Sequence, residues 1–255
     1  MSDTPASVEP QDAIDLTALT DRLRRASRVT VLTGAGVSAA SGIPTFRGTG
    51  GLWRSVRAET LASARGFAAD PKLVWEWYDW RRQLIRDTEP NAAHHALAEW
   101  MRARPGLTLI TQNVDGLHER AGARDVLRLH GSIWQLRCWH DCDESGDGWV
   151  DESVPLVPLP PRCPHCGALA RPGVIWFGEP LDRRILAAAA RACECDVFLS
   201  VGTSSVVYPA AGLLHDAKRH GAFTIEINPD ATDATAIVDV TIRAAAEDVL
   251  PRPLV

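Results

Sequence analysis

An α/β protein, with a parallel sheet flanked by helices on both faces, is predicted by three observations. Short β-branched runs alternate with helical-period stretches along the 255-residue chain. The first such run, residues 28–33 (RVTVLT), leads straight into a glycine turn with G-x-G-x-x-A spacing at Gly34, Gly36 and Ala39. Polar groups then gather just past the later runs: QNVD, LHGS, GTSS and INPD. In a doubly wound sheet the carboxyl ends of the strands form the ligand-binding edge, so these groups are expected side by side.

Composition narrows the class further. Hydrophobic content of 45% with 23% charged residues describes an ordinary soluble globular protein. A formal charge of −5 argues against a general nucleic-acid binder. No apolar run approaches the roughly 20 residues of a membrane helix, so no membrane partner is expected. The start, MSDTPASVEPQD, has neither a basic region nor an apolar core, and residues 1–11 read as a disordered leader. A cytoplasmic location is therefore expected. In such a chain the six cysteines read as metal ligands or free thiols before disulfides.

Taken in order, Ile14, Leu16, Leu19 and Leu23 mark an amphipathic helix over residues 13–25. In the turn that follows the first strand, the first glycine permits a tight bend and the second lets a pyrophosphate approach the backbone. The small third residue lets a helix pack on the strand. The continuation, SGIPTFRG, is unlike a plain dinucleotide fold. Gly42, Pro44 and Gly48 punctuate a loop carrying Phe46 and Arg47, which reads as a mobile cover over the ligand. A dehydrogenase-like fold would place an acid on a second strand about 20 residues on. Glu59 is near that distance, but its surroundings, RSVRAETLASARG, lack strand character, so residues 49–90 read as a helical insertion.

The insertion ends in a helix over residues 71–88, with Pro71 at its start and Trp75, Trp77 and Trp80 along it. Tyr78 and Arg81 lie one turn apart on one face. They fit an aromatic core helix with a solvated arginine, or a pair that recognises a carboxylate by a guanidinium fork and a phenol. A helix capped at Asn91 and stopped by Pro105 and Gly106 follows. Next come a strand over residues 107–113 and a short strand over 125–132. His130 lies at the far end of the latter, a position open to a structural or a catalytic role.

Cys138, Cys142, Cys163 and Cys166 run C-x3-C, a 20-residue gap, then C-x2-C. The knuckle PRCPHCGALARPG is that of a zinc ribbon, in which four thiolates fill the coordination sphere and make the site structural. The first pair departs from C-x2-C, leaving His140 or His165 open as a substitute ligand. The polar stretch between the pairs has little to pack, so metal would supply the missing core energy. Strand character resumes over residues 174–179. An alanine-rich helix then leads to Cys193 and Cys195, read as buried or free thiols. A strand ends in Gly202, Thr203 and Ser204, donors suited to phosphates. A further strand ends at Asn228, placed to make the ribose contact that the absent acid would have made. VDVTIR and a closing helix finish the chain. Residues 12–48, 91–132 and 180–255 are expected to form a Rossmann-like nucleotide-binding domain, and 49–90 with 133–179 a small domain.

GAGVSAASGIPTFRG, TQNVDGLH, LHGS, the four-cysteine module, WFGE, GTSSVVYPA and INPD together resemble the sirtuins, NAD-dependent protein-lysine deacylases, over about residues 23–250. The pair Tyr78-x-x-Arg81 is similar to that of the branch accepting succinyl and malonyl groups, whose members can also remove acetyl. The resemblance implies a structural zinc and NAD consumed as a co-substrate. Gly34, Ala35, Gly36, Ser38, Phe46, Arg47 and Trp53 would wrap NAD, and Gln112 and Asn113 would position its ribose. Ile43, Val114 and Asp115 would line the nicotinamide side. Gly202, Thr203 and Ser204, with Asn228, Pro229 and Asp230, would hold the phosphate and adenosine end, and the Ala246 backbone would touch adenine. Val174, Trp176, Phe177 and Gly178 would border an acyl-lysine tunnel entered by a protein or peptide. His130 would be the general base, with Asn113 and Asp115 in the catalytic set, and nicotinamide and O-acyl-ADP-ribose the products. A monomer is expected. The alternatives are ADP-ribosyl transfer to protein and a non-catalytic NAD or acyl-lysine reader; a plain dehydrogenase fits least.

Overall fold

Runs of consecutive buried residues such as Val29–Thr33 and Val197–Val201 have no solvent face, so they form the interior strands of a parallel sheet. The computed structural model describes residues 16–45 and 52–251. The leader, the start of the first helix, and Phe46, Arg47 and Gly48 lie outside the described residues. The chain forms α1 (Leu16–Arg25), β1 (Val29–Thr33) and a 3-10 helix (Ala35–Ser41), then β2 (Leu52–Trp53), β3 (Val56–Arg57), α2 (Ala58–Leu61), α3 (Ala64–Ala69) and α4 (Pro71–Arg86). Next are α5 (Ala92–Ala103), β4 (Leu107–Thr111), α6 (Leu117–Arg120), β5 (Leu127–Arg128), β6 (Gly131–Cys138), β7 (Trp149–Val150) and β8 (Ala170–Val174). The last are α7 (Arg183–Ala192), β9 (Val197–Val201), α8 (Gly212–Arg219), β10 (Phe223–Ile227), β11 (Val240–Ile242) and α9 (Ala246–Val249).

Six parallel strands are ordered β11-β10-β9-β1-β4-β5. Alternation along β1 divides its side chains between two cores. Val29 and Val31 pack with Leu23 of α1, Leu97 of α5 and Val249 of α9. Leu32 packs with Ala189 of α7 and with Leu213 and Leu214 of α8. Helices thus cover both faces, as expected.

A third core, built from residues between Ile43 and Trp176, lies around the antiparallel sheet β7-β6-β8. Phe67, Trp75, Trp77, Tyr78 and Trp176 are buried there, with Trp53, Trp134, Trp139 and Trp149 packed at its edge. Helix α4 starts where Asp70 accepts a bond from the Leu73 amide at 2.9 Å, with proline in the first turn. It is fastened to the chain around β7 and β8. Trp75 Nε1 donates to the Ala170 carbonyl at 2.8 Å, Arg82 Nη2 to that of Ser153 at 3.0 Å, and the Leu156 amide to Asp79 at 2.8 Å.

Four expectations are corrected here. The insertion opens with a β2–β3 hairpin before its helices. The strand expected over 125–132 is cut short. β5 holds only Leu127 and Arg128, and Gly131, at φ 76°, starts β6 in the other sheet. The strand expected over 174–179 ends at Val174; its continuation is a turn with Gly178 at φ 86°, closed by the Glu179 carboxylate accepting from the Trp176 amide at 2.8 Å. The polar stretch over residues 143–153, expected to have little to pack, sets Trp149 against this core and buries Ser145.

The 3-10 helix after β1 meets the turn after β9 backbone to backbone. The Gly34 amide donates to Val201 at 3.0 Å and the Gly36 amide to Gly202 at 2.8 Å. A Cβ on Gly36 would lie 2.7 Å from the Gly202 oxygen, and one on Gly202 would lie 2.6 Å from the Val37 amide nitrogen. Gly36→Ala is therefore expected to lower stability by about 1–3 kcal/mol through forced backbone displacement, read as a lower urea midpoint at constant slope.

Candidate functional site

The carboxyl ends of β1, β4, β9 and β10 are adjacent, and their polar groups interlock. Beyond β4, Asn113 Nδ2 donates to the Gly34 carbonyl at 3.0 Å and to Ser38 Oγ at 3.2 Å. Ser38 Oγ donates to Asp115 Oδ2 at 2.8 Å, and the other carboxylate oxygen accepts from the Leu117 amide at 2.9 Å. Gln112 Nε2 reaches across to Thr203 Oγ1 at 2.8 Å, and Asn228 Nδ2 donates to the Thr203 carbonyl at 2.9 Å. Two hydrogen-bonded groups, Asp115–Ser38–Asn113 and Gln112–Thr203–Asn228, are thus joined through the peptide bond between Gln112 and Asn113. Burial pushes the Asp115 carboxyl up, while the Leu117 amide, Ser38 and the charge of Arg81 pull it back.

His130 is seated in the same row. Its Nδ1 lies 3.0 Å from the Gln112 carbonyl. A carbonyl only accepts, so Nδ1 carries the proton and Nε2 keeps its lone pair. Burial depresses the His130 pKa below the ordinary value of 6.5, with the Gln112 bond opposing. The ring is therefore neutral at physiological pH. Its own carbonyl accepts from the Ile175 amide at 2.9 Å, which brings the turn beyond β8 alongside.

That turn is clamped from below. Arg171 donates to both oxygens of Glu179, at 2.5 and 2.9 Å, and its guanidinium lies 3.5 Å above the Trp176 ring. Trp176 Nε1 in turn donates to the Tyr78 hydroxyl at 3.0 Å. Tyr78 is 1% exposed and Arg81 9%, so the solvated arginine of the plain core-helix reading does not hold. The guanidinium of Arg81 sits 5.0 Å from the Trp77 ring centroid. Burial lowers the Arg81 pKa, opposed by the neighbouring Tyr78 and by the Asp115 carboxylate. Burial also raises the Tyr78 phenol to about 12, so its hydroxyl keeps its proton.

Other expected site residues fall nearby. Ile43 is buried and Val114 and Trp53 are half-buried. Ala35 is half-buried in the 3-10 helix, and Ala246 is buried at the start of α9, which packs on that helix. Ser204 is half-buried, Pro229, Asp230, Phe177 and Gly178 are exposed, and Val174 is buried.

Sequence reasoning missed two histidines beneath the row. The Asn91 amide donates to His94 Nδ1 at 3.3 Å, leaving His94 Nε2 to donate to Ser38 Oγ at 3.3 Å. His118 Nε2 bonds Thr33 Oγ1 at 2.9 Å, and the two rings lie 4.9 Å apart. His94 occupies the third helical position after the Asn91 cap, a capping-box place usually held by Glu or Gln. That spacing was the available signal for it.

The four cysteine sulfurs lie within 4.8 Å of one another, with Cys138–Cys166 at 3.5 Å and Cys142–Cys163 at 3.7 Å. A tetrahedron with Zn–S bonds of about 2.3 Å has edges of about 3.8 Å, so the set fits one structural zinc. The C-x3-C pair supplies both of its thiols, and His140 and His165 are exposed outside the cluster. Cys193 and Cys195 are buried free thiols, as expected.

Burial lowers the pKa of His94 to about 4 and of His118 to about 3. Both sit below the unfolded value of about 6.5, so the unfolded chain takes up protons first as pH falls. Stability contributed by the neutral rings is complete above pH 6.5 and is lost on acidification toward 4 and then 3. The expected slope is about 1.4 kcal/mol per pH unit for each ring below pH 6. Urea unfolding between pH 7 and 5 checks it, and His118→Gln should remove one ring's share.

The Sir2 family model matches residues 34–209. The chain is 50% identical over 219 residues to the NAD-dependent protein deacylase of Aquifex aeolicus, covering 86% of this chain and 90% of that protein. It is 51% identical over 220 residues to NAD-dependent protein deacylase 1 of Archaeoglobus fulgidus, covering 86% and 88%. A crystal structure of a Sir2 homologue–NAD complex superposes with a TM-score of 0.88 at 47% identity, covering 95% of this chain and 93% of that one. The chain belongs to the Sir2 family.

Proposed function

We propose that this chain is an NAD-dependent deacylase of protein lysines, releasing nicotinamide and O-acyl-ADP-ribose. The observation that carries the reading is the convergence of Ser38, Asn113, Asp115 and a neutral His130 on one strand-end row, in a chain about half identical to named deacylases. Solved Sir2 relatives include complexes with 2'-O-acetyl-ADP-ribose, and with a deacetylated p53 peptide and 3'-O-acetyl-ADP-ribose.

In this reading NAD supplies an activated ribose carbon that the substrate's amide oxygen attacks as nicotinamide leaves. Each remaining job belongs to a residue of the row. The backbone around Gly34 and Gly36 takes the pyrophosphate, since neither glycine has a side chain to hold it off. Gln112 and Asn113, fixed by Thr203 and Ser38, orient the nicotinamide ribose. Asp115 and Ile43 line the nicotinamide side. His130 Nε2 takes a proton from a ribose hydroxyl, which attacks the acyl carbon; the lysine amine leaves as its bond to that carbon breaks, and water frees O-acyl-ADP-ribose. Gly202, Thr203, Ser204, Asn228, Pro229 and Asp230 hold the phosphates and adenosine, with Ala246 beside the adenine. The turn of Trp176, Phe177 and Gly178, with Val174, borders the tunnel for the acyl-lysine of a peptide adding as an extended strand.

Acyl preference follows from α4. The Tyr78 hydroxyl accepts from Trp176, so its own proton is free to be donated, and Arg81 beside it is a cation. Together they suit a terminal carboxylate, which favours succinyl or malonyl over acetyl. Turnover of acetyl-, succinyl- and malonyl-lysine peptides with NAD, followed by mass spectrometry, tests the reading. Acyl-ADP-ribose among the products supports it, whereas ADP-ribose attached to protein would favour transfer.

Three expectations rest on this geometry. Arg81→Met is expected to lower desuccinylation at least about 100-fold in kcat/KM while leaving deacetylation within about threefold, in line with one lost charge-assisted pair; equal loss of both contradicts the carboxylate-reading role. Because His130 is held below its ordinary pKa, the base form persists as pH falls, and the acid limb of kcat/KM is expected below pH 6.5. His130→Tyr is expected to abolish turnover.

A further inference from the structure

Among the isoleucines of β10 stands an acid, Glu226, whose side chain is 1% exposed. A buried carboxylate gives up its hydration, and an apolar residue on an interior strand usually serves stability as well or better. All three donors to its carboxylate lie outside the core, in the loop after β10 or just beyond β11. One oxygen accepts from Thr232 Oγ1; the other accepts from Thr235 Oγ1 at 2.7 Å and from Arg243 Nη1 at 3.1 Å. Arg243 also donates to the Asp230 carbonyl at 2.6 Å and to Thr235 Oγ1 at 2.8 Å. Thr235 Oγ1 accepts from the Thr232 amide at 2.9 Å. The loop begins at Asn228, whose amide donates to Ile242 and whose side chain is spent on Thr203 and on the Asp230 amide.

We propose that Glu226, acting through Arg243, Thr232 and Thr235, is a positioning residue for the adenosine end of NAD. The inference rests on the deacylase reading above. The carboxylate gathers three donors that would otherwise be free to turn to water, and so fixes the path of residues 228–235 at the carboxyl edge of the sheet. It touches neither substrate nor reacting atoms. The geometry therefore separates binding of adenosine from chemistry at the far ribose.

Glu226→Gln keeps the shape and loses the charge that holds Arg243. Steady-state kinetics should show the KM for NAD rising about tenfold, with kcat and the KM for acyl-peptide within about twofold of the parent. Calorimetry with ADP, which shares only the adenosine end and the phosphates, and with ADP-ribose, which adds the far ribose, should show the same loss in affinity, and product inhibition by nicotinamide should be unchanged. Thr235→Val removes one neutral arm while leaving the ion pair, and should shift both quantities in the same direction by less; it carries the test if the glutamine variant fails to fold. An unchanged KM for NAD and unchanged ADP-ribose affinity in a folded variant would overturn the proposal. So would a fall in kcat alone, or equal rises in both KM values. If the parent chain binds ADP-ribose but never deacylates a peptide, the deacylase reading fails while the calorimetry still tests the positioning role of Glu226.

Discussion

The contact between two glycine turns, Gly34–Gly36 after β1 and Gly202 after β9, sets the spacing on which the site depends. Two backbones approach there more closely than any side chain allows. Strands in a parallel sheet are held by regular hydrogen bonds, but the turns beyond them normally splay. Here the ladder of the sheet continues into the turns, through the Gly34 and Gly36 amides. Ser38 is consequently carried under Asn113 and Asp115, and Thr203 comes within reach of Gln112 and Asn228. Remove that close approach and each of these bonds lengthens together, because all are referred to the same two turns.

Much of the architecture was legible because it is written in local patterns. The buried strands read as short β-branched runs, the helices as periodic stretches opened by Pro71 or capped at Asn91, and the metal centre as a cysteine spacing. The extra residue in C-x3-C raised a doubt that the sulfur positions remove. The row of polar groups was predictable from strand ends alone, since topology brings such ends to one edge.

What was not legible depended on contacts distant in sequence. Whether residues 125–132 form one strand is decided by Gly131, where the chain leaves one sheet for another; a lone glycine does not say which. The turn over 175–179 has strand-like residues, but its conformation is set by Arg171 reaching Glu179 and stacking on Trp176. His94 and His118 gave weak local signals, and their meaning comes from Ser38 and Thr33, contributed by other elements. Burial of Tyr78 and Arg81 depends in the same way on Trp176, about a hundred residues away.

The uneven placement of aromatic residues has a practical consequence. Of the nine tryptophans, Trp53, Trp75, Trp77, Trp134, Trp139, Trp149 and Trp176 belong to the core around β6 and α4, and Trp80 lies 6.3 Å from Trp53. Only Trp100 packs against the nucleotide-binding sheet. Intrinsic fluorescence of this protein is thus almost wholly an emission from one half of the molecule. Its spectrum follows events around the antiparallel sheet, α4 and the cysteine cluster, while the six-stranded parallel sheet is nearly dark.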